Sequence, residues 1–234
     1  MNRSLFAIAA LSALAVTSCT QQPKQPKYIF YFITDGTGVN TIQGTEFYLA
    51  ETTLDKPVRK PLLMSTFPVV GVASTYSYSS GITDSAASGT ALATGVKTYN
   101  GALGVDPDTA AVYSIAEWAK AAGFPVGVGT SVSINHATPG AFFAHNASRN
   151  NYYEIGKQAP ATGFDFFGGC DFQLDGNHKE EAYRDSIYQL CTEAGYALAR
   201  ASYADYEAKA ADAERIILMQ DRERTMKVNQ GELP

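Results

Sequence analysis

Positive charge, cysteine and long apolar runs are all scarce in this sequence of 234 residues. Lys and Arg number 18 against 23 Asp and Glu, which gives a net charge of −5. The chain has no basic surplus with which to neutralise the phosphates of a duplex, so general nucleic-acid binding is excluded. No apolar run is long enough to span a bilayer. With 45% hydrophobic and 12% aromatic residues, the composition also excludes disordered and fibrous chains and leaves an ordinary globular domain.

The N-terminus resembles a bacterial lipoprotein signal. A basic residue, Arg3, precedes an apolar run from Leu5 to Val16, and small residues lead to Cys19. This order is typical of a secretory signal rather than of a membrane span. A cysteine at the cleavage point would be lipidated and become the first residue of the mature chain. Two other interpretations stay open: a plain signal peptide, and a buried helix that happens to contain a cysteine.

These features predict three parts of the chain. Residues 1–18 are expected to be a signal peptide, and residues 19–27, which are polar and contain prolines, a tether. Residues 28–234 would form one globular domain, exported to the periplasm or held at the outer membrane by the lipid on Cys19. Contact with the membrane would be through that lipid alone.

Two further cysteines, Cys170 and Cys191, remain in the expected domain. The oxidising environment of an exported protein would permit a disulfide between them. Their positions in the sequence do not show whether their Cβ atoms approach each other, so two buried free thiols are an equal alternative.

Strand-like and helix-like segments alternate along the domain. Apolar segments rich in β-branched or aromatic residues predict strands at Tyr28 to Thr34, Pro68 to Ser74, Val126 to Ser131 and Arg215 to Met219. Periodicity and capping residues predict helices at Val39 to Glu51, Ser85 to Thr94, Ser114 to Ala122 and Glu180 to Ala194. The alternation predicts an α/β fold with a mostly parallel central sheet and helices on both faces. Reactive groups should then gather at the carboxyl ends of the strands.

The first candidate segment, residues 34–38, follows the first expected strand. Asp35 stands beside Gly36 and Gly38, and a carboxylate where glycines let a ligand approach the backbone could hold a cation. A simple Asx-turn is the alternative. A dinucleotide-binding loop is a weaker rival, because the third glycine of that motif is absent.

The second candidate segment, residues 82–90, places Ser85 at an expected helix start among small residues. Free backbone amides and the positive end of the helix dipole would favour a phosphate there. The alternative is a close-packed helix capped by Asp84, since Asp and Ser are common capping residues.

The third candidate segment begins at Asn135 and includes His136 and Thr138, which could present a nitrogen and an oxygen ligand on one side of a loop. Arg149 follows, and its planar guanidinium suits two phosphate oxygens. We interpret the other two histidines, His145 and His178, as ordinary hydrogen-bonding residues.

Together the three segments resemble the alkaline phosphatase family. The long run from Ile82 to Gly101 closely resembles the active-site signature of that family and is highly specific. Residues 35–38 resemble the family's first metal-ligand turn, although a methionine is usual where Thr37 stands. Residues 136–139, with Arg149 at the family's spacing, resemble its third block. The resemblance is strong from Tyr28 to Tyr153, and residues 166–169 beyond it still resemble a family strand and turn.

The resemblance implies a role for each of six residues. Ser85 would be the nucleophile that forms a phosphoserine, Arg149 would hold the phosphate oxygens, and Asp84 would orient the arginine. Asp35 would bridge zinc and magnesium, Ser85 would lie beside zinc, and His136 and Thr138 would belong to the magnesium site. The expected cofactors are therefore two Zn2+ ions and Mg2+, the expected substrates small phosphomonoesters, and a homodimer a possible assembly.

The sequence also departs from the family. His136 stands where some members have a carboxylate, and imidazole favours transition metals over magnesium, so the third metal is left open. Family members are about twice this length, and most of their zinc ligands lie in the second half, for which this sequence offers no match. We therefore expect a fold that is incomplete at the C-terminal end, and weak or absent activity for residues 1–234 alone.

The sequence leaves three kinds of rival function. An esterase would need a nucleophile elbow, which Ser85 lacks. A phosphodiesterase or sulfatase would share the sheet and the metals, but the long signature around Ser85 argues against both. A non-catalytic lipoprotein that binds phosphate or a metal is the serious alternative.

Overall fold

The computed structural model of the chain describes residues 26–53, 58–200 and 202–220. The expected signal peptide and most of the tether lie outside these ranges. The chain divides into two compact units, residues 1–45 and 46–234. The described helices are α1 (Val39–Thr53), α2 (Ser85–Thr94), α3 (Ile115–Ala121), α4 (Ala137–Gly140), α5 (Tyr152–Ala161), α6 (Glu181–Glu193) and α7 (Tyr203–Ala210), with a 3-10 turn at Leu63–Thr66. None of them is long and apolar enough to cross a membrane.

Four parallel strands form the described sheet. They are β1 (Gly127–Ser133), β2 (Phe166–Cys170), β3 (Tyr196–Ala199) and β4 (Arg215–Gln220), in the spatial order β1-β2-β4-β3. Strands alternate with helices from β1 onward, which confirms the predicted α/β fold with a mostly parallel sheet. The most buried strand is β2, where a side chain added at Gly169 would meet Thr130 of β1 at 2.7 Å.

Local signals in the sequence explain where the helices begin and end. Asp84 caps α2, and Gly95 ends it in the left-handed conformation at φ +77°. Ser114 and Glu117 form a capping box at the start of α3, which ends just before Gly123 at φ +85°. The predicted helices are therefore confirmed to within two residues at each end.

The core lies between the sheet and its helices in the second unit. Aromatic side chains fill much of it, and the fully buried ones include Phe143, Phe164, Phe167 and Phe172. Phe143 meets Phe167 edge to face, with ring centroids 5.3 Å apart. Cys170 and Cys191 are both buried free thiols in the structure, and burial raises the pKa of Cys191 to about 12.

Two predicted strands are wrong for the described part of the chain. Neither residues 28–34 nor residues 68–74 form a strand. Their apolar side chains are exposed, as at Ile29 (81%) and Val72 (99%). An apolar, β-branched segment becomes a strand only where a neighbouring strand supplies its hydrogen bonds, and that partner is not encoded in the segment itself.

Candidate active site

The start of α2 presents a serine at the positive end of a helix. Ser85 is the first residue of α2, and within the described ranges its hydroxyl has no hydrogen-bond partner. The Asp84 carboxylate accepts a hydrogen bond from Ala87 N–H at 2.9 Å, and the Asp84 carbonyl accepts one from Ser88 N–H at 3.0 Å. The N–H groups of Ser85 and Ala86 are then left to face an anion, which the helix dipole favours.

The second carboxylate oxygen of Asp84 binds two further donors. Oδ2 accepts from Gly101 N–H and from Arg149 Nη1, each at 3.1 Å. Partial burial alone would raise the pKa of Asp84. The hydrogen bonds from Ala87, Gly101 and Arg149 and the charge of the guanidinium outweigh burial, so the pKa lies below its usual range. Asp84 is therefore ionised at neutral pH and keeps Arg149 beside the start of α2.

Gly101 joins Asp84 to the backbone of Arg149. Its N–H donates to Asp84, and its carbonyl accepts from Arg149 N–H at 2.6 Å. Gly101 has φ +91°, a conformation that favours glycine. Asn100 supports the same loop, because its side chain accepts from Asp84 N–H at 3.3 Å and donates to the Ile82 carbonyl at 3.0 Å. The arginine is thus positioned through both its side chain and its main chain.

His136 and Thr138 lie at the start of α4, which packs against α2. A Cβ built at Gly89 of α2 would lie 3.1 Å from Ala141 Cβ and 3.7 Å from the backbone of Thr138, so the two segments pack closely where residue 89 has no side chain. The imidazole of His136 stacks on the ring of Tyr152, with centroids 6.3 Å apart. The third candidate segment is therefore brought to the helix that carries Ser85.

Asn135 fixes the backbone just before His136. It is fully buried at the end of β1, and its side-chain amide donates to the carbonyls of Tyr152 and Gln173, both at 2.8 Å. Its side-chain oxygen accepts from Gln173 N–H at 2.9 Å. These bonds tie the ends of β1 and β2 to the start of α5. Sequence reasoning gave Asn135 no role, because both partners are remote in the chain.

Asp35 lies in the first of the two units, residues 1–45. Residues 34–37 form a main-chain turn, in which Thr37 N–H donates to the Thr34 carbonyl at 3.1 Å and Gly36 has φ +70°. The Asp35 side chain is exposed within this unit. Its part in a metal site stays a prediction.

The donors present fit only part of a zinc and magnesium site. Asp35, Ser85, His136 and Thr138 offer one carboxylate, two hydroxyl oxygens and one imidazole nitrogen. Across residues 26–53, 58–200 and 202–220, no group of three or more His, Cys, Asp or Glu side chains is placed so that it could hold a metal ion. A catalytic zinc usually has three protein ligands, so these donors do not form a complete zinc site.

His178 has a structural environment. Its Nδ1 lies 2.8 Å from Asp175 Oδ1, its ring stacks on Tyr153 at 4.5 Å, and it meets Tyr183 edge-on at 4.7 Å. This accords with its interpretation as an ordinary hydrogen-bonding residue.

Comparison with known proteins identifies a family. The family model described as alkaline phosphatase matches residues 26–172. Alkaline phosphatase 4 of Bacillus subtilis (strain 168) is 58% identical over 74 residues, which are 32% of this chain and 16% of that protein. The tissue-nonspecific alkaline phosphatase of Rattus norvegicus is 36% identical over 136 residues, 54% of this chain and 26% of that protein.

A solved structure shows a similar fold. It is a variant of the alkaline phosphatase from the Antarctic bacterium TAB5 with magnesium bound in the M3 site. The TM-score is 0.64 at 26% identity, and the match covers 75% of this chain and 48% of that one. The chain thus spans less than half the length of the proteins that it matches.

Proposed function

Because the chain belongs to the alkaline phosphatase family, we propose that the whole protein hydrolyses phosphate monoesters through a phosphoserine at Ser85. The observation that supports this proposal is the start of α2. There the Ser85 hydroxyl stands beside Asp84, and the same Asp84 binds Arg149. Phosphoryl transfer needs positioning and charge stabilisation more than covalent help, and these groups supply both.

The proposed reaction has two displacements at phosphorus. Ser85 Oγ attacks and forms an O–P bond, while the bond to the substrate alcohol breaks and its electron pair leaves with the alcohol oxygen. The serine proton passes to solvent, and the alcohol takes up a proton. Water then attacks the phosphoserine, which releases inorganic phosphate and restores the Ser85 hydroxyl. Both steps pass through a phosphoryl group with three negatively polarised oxygens.

Arg149 and the helix start would hold that phosphoryl group. The guanidinium can donate two parallel N–H groups to two oxygens, which a lysine cannot do. Asp84 keeps the guanidinium in place with the ion pair at 3.1 Å, and both side chains are about three-quarters buried at 23% and 25% exposure. The N–H groups of Ser85 and Ala86 would face the remaining oxygen.

Metal ions belong to the proposal for the whole protein. We propose that Asp35 and Ser85 contribute to zinc binding, and that His136 and Thr138 contribute to the site of a third metal. When bound, such ions stabilise negative charge on the serine and leaving oxygens. The imidazole of His136 adds no negative charge, so we expect this third site to prefer a transition metal to magnesium.

A second candidate function is phosphate binding without turnover. The incomplete donor set among the described residues favours it for residues 1–234. Phosphate affinity with no hydrolysis of a phosphomonoester would select this alternative. In either case we propose that the protein is exported and anchored by a lipid on Cys19, which the mass of the mature N-terminal peptide would test.

Covalent labelling tests the proposed nucleophile. The whole protein is incubated with a phosphomonoester labelled in its phosphate, quenched in acid and digested, and the labelled peptide is sequenced. Ser85→Ala should remove the label, because no O–P bond can form at residue 85. Ser88→Ala is the matched control: Ser88 lies one turn further along α2, its hydroxyl binds the Asp84 carbonyl at 2.8 Å, and its loss should leave the label in place. Label at another residue in Ser85→Ala would refute the assignment.

A further inference from the structure

His145 is held between helix α3 and the loop that contains Gly101 and Gly104. Its Nδ1 lies 2.7 Å from the Gly104 carbonyl, and its Nε2 lies 3.0 Å from Glu117 Oε1 on α3. The ring of Tyr113 packs edge-on against it at 5.6 Å. The His145 and Glu117 side chains are only 22% and 17% exposed. Both ring nitrogens are thus committed to partners within the protein.

Both partners of the ring are acceptors. A backbone carbonyl has no proton to give, and an ionised carboxylate accepts only. Glu117 also accepts from Ser114 N–H at 2.7 Å as part of the capping box of α3, so its orientation is fixed. A ring with two acceptor partners satisfies both only when both nitrogens carry a proton. The geometry therefore requires the imidazolium form of His145.

The electrostatics agree with this geometry. The hydrogen bond to Glu117 raises the pKa of His145; burial opposes that shift, and the Gly104 carbonyl adds to it. Burial would raise the pKa of Glu117, but the hydrogen bonds from His145 and Ser114 and the charge of the imidazolium lower it. The groups that face the ring are Glu117 from α3, the Tyr113 ring and the Gly104 carbonyl.

The backbone connects His145 to Arg149. Residue Leu103 exchanges two hydrogen bonds with Asn146, at 2.9 and 2.8 Å, and Gly101 accepts from Arg149 N–H. Residues 101–104 and 145–149 therefore lie side by side in opposite directions. His145 closes this short ladder at one end, and Arg149 leaves it at the other end, where it meets Asp84.

We propose that His145 is a positioning residue for Arg149: the imidazolium, bound to Gly104 and Glu117, fixes the register between residues 101–104 and 145–149 and so the direction in which Arg149 meets a phosphoryl group. The proposal rests on the proposed function of Arg149. It makes the position of Arg149 depend on the protonation of His145. Both hydrogen bonds of the imidazolium are present below the ordinary imidazole pKa, and one of them is lost as pH rises through the raised pKa of His145 in the folded chain.

Phosphate titration of four variants tests the proposal: two that alter the His145–Glu117 pair, one control, and Arg149→Lys. Binding of inorganic phosphate to the full chain is measured by calorimetry at about pH 6, below an ordinary imidazole pKa, and again at a pH above the raised pKa of His145 that nitrogen NMR gives. His145→Gln removes the charge and leaves only one donating nitrogen in place of the two in the imidazolium. Glu117→Gln removes the carboxylate, yet a glutamine can still complete the capping box. The matched control is His178→Gln, which alters another histidine–carboxylate pair away from the Arg149 ladder.

The expected result is a pH-dependent loss of affinity. His145→Gln and Glu117→Gln should each weaken phosphate binding about fivefold at the lower pH and approach the unaltered chain at the higher pH, within the range seen for residues that act through others. His178→Gln should bind like the unaltered chain at both values. Ratios to the unaltered chain cancel the ionisation of phosphate itself.

Contrary results separate this proposal from the proposed function. Unchanged affinity in His145→Gln, or an equal loss at both pH values, would overturn the positioning role if Arg149→Lys still weakens binding. Unchanged affinity in Arg149→Lys, or no phosphate binding by the unaltered chain, would overturn the function of the site and this inference with it. Nitrogen NMR of the three histidine rings adds a direct check, because titration of the His145 ring at the ordinary imidazole pKa would also refute the positioning role of His145.

Discussion

At the scale of single residues, the carboxylate of Asp84 serves two parts of the site at once. One oxygen caps α2 and the other binds Arg149, so the helix that carries Ser85 and the arginine are both held by the same carboxylate. A neutral side chain could retain the cap, since Asn is as good a capping residue as Asp, but would bind the guanidinium less strongly. The charge of Asp84 therefore has a separable effect on stability.

This separation predicts how stability depends on pH in Asp84→Asn. Because the pKa of Asp84 is lowered in the folded chain, its charge stabilises the fold above the usual carboxyl pKa, and that contribution is lost as pH falls. We expect Asp84→Asn to lower the free energy of unfolding by about 1 to 2 kcal/mol at neutral pH, as for other charge-assisted hydrogen bonds. Urea unfolding should show this difference shrinking below about pH 4. An equal difference in the free energy of unfolding at neutral and acid pH would mean that the changed shape of the side chain, not the loss of its charge, lowers the stability.

The sequence pointed to the reactive residues but not to those that hold them. Ser85, Asp84 and Arg149 stand in a long, specific signature, and the structure brings the last two into contact. Gly101 and Asn135 act through main-chain and side-chain amide hydrogen bonds to residues 17 to 48 positions away in the sequence, and such partners are close only in the folded chain. The roles of Ser85 and Arg149 in catalysis stay predictions.

At the scale of elements, helices were more predictable than strands. The signals for α2 and α3 are local, because a cap and a glycine lie within the segment that they bound. Helix α5 was missed, since Gly156 and Pro160 weaken its helical signal, yet a Cβ at residue 156 would lie 2.9 Å from Ile187. Strand β3 was missed because it has only four residues. Strand pairing and close packing depend on other elements, which one segment cannot reveal.

The loop after Thr98 and the turn after α4 meet at Gly104, and this contact gives an element-scale prediction. Gly104 has φ +57°, and a Cβ there would lie 2.2 Å from the Ala144 carbonyl oxygen and 2.8 Å from His145 Nδ1. Gly104→Ala should therefore lower the free energy of unfolding by about 3 kcal/mol or more, because backbone must move. Thermal or urea unfolding would measure the change.

Gly95→Ala is the control for that substitution. Gly95 also has a positive φ, +77°, but nothing lies within 4 Å of a Cβ built there. Only the cost of the left-handed conformation remains, so a loss of about 1 kcal/mol is expected. Equal losses in the two variants would show that the contact between the loop and the turn does not matter to stability.

At the scale of the whole molecule, polar residues follow the carboxyl ends of two neighbouring strands of the described sheet. Asn135 and His136 follow the carboxyl end of β1, and Gln173, which binds Asn135, follows β2. Ligands of parallel α/β proteins bind beyond the carboxyl ends of the strands, so the fold supports the position expected for the site. Ser85 lies on α2, which packs against α4, and Arg149 lies in the loop between α4 and α5, so neither residue belongs to a strand.

Metal binding by residues 19–234 is the prediction that belongs to this scale. Among the described residues, no three His, Cys, Asp or Glu side chains converge on a possible ion, and water competes well with fewer ligands. We expect this chain, with Cys19→Ser to prevent lipidation, to bind zinc weakly by calorimetry and to hydrolyse p-nitrophenyl phosphate far more slowly than the alkaline phosphatase of TAB5 under the same conditions. Added zinc and magnesium should not close that gap, because added ions do not supply missing ligands. Comparable turnover per mole would show that residues 19–234 contain a complete site, and would favour hydrolysis over phosphate binding alone as the function of this chain.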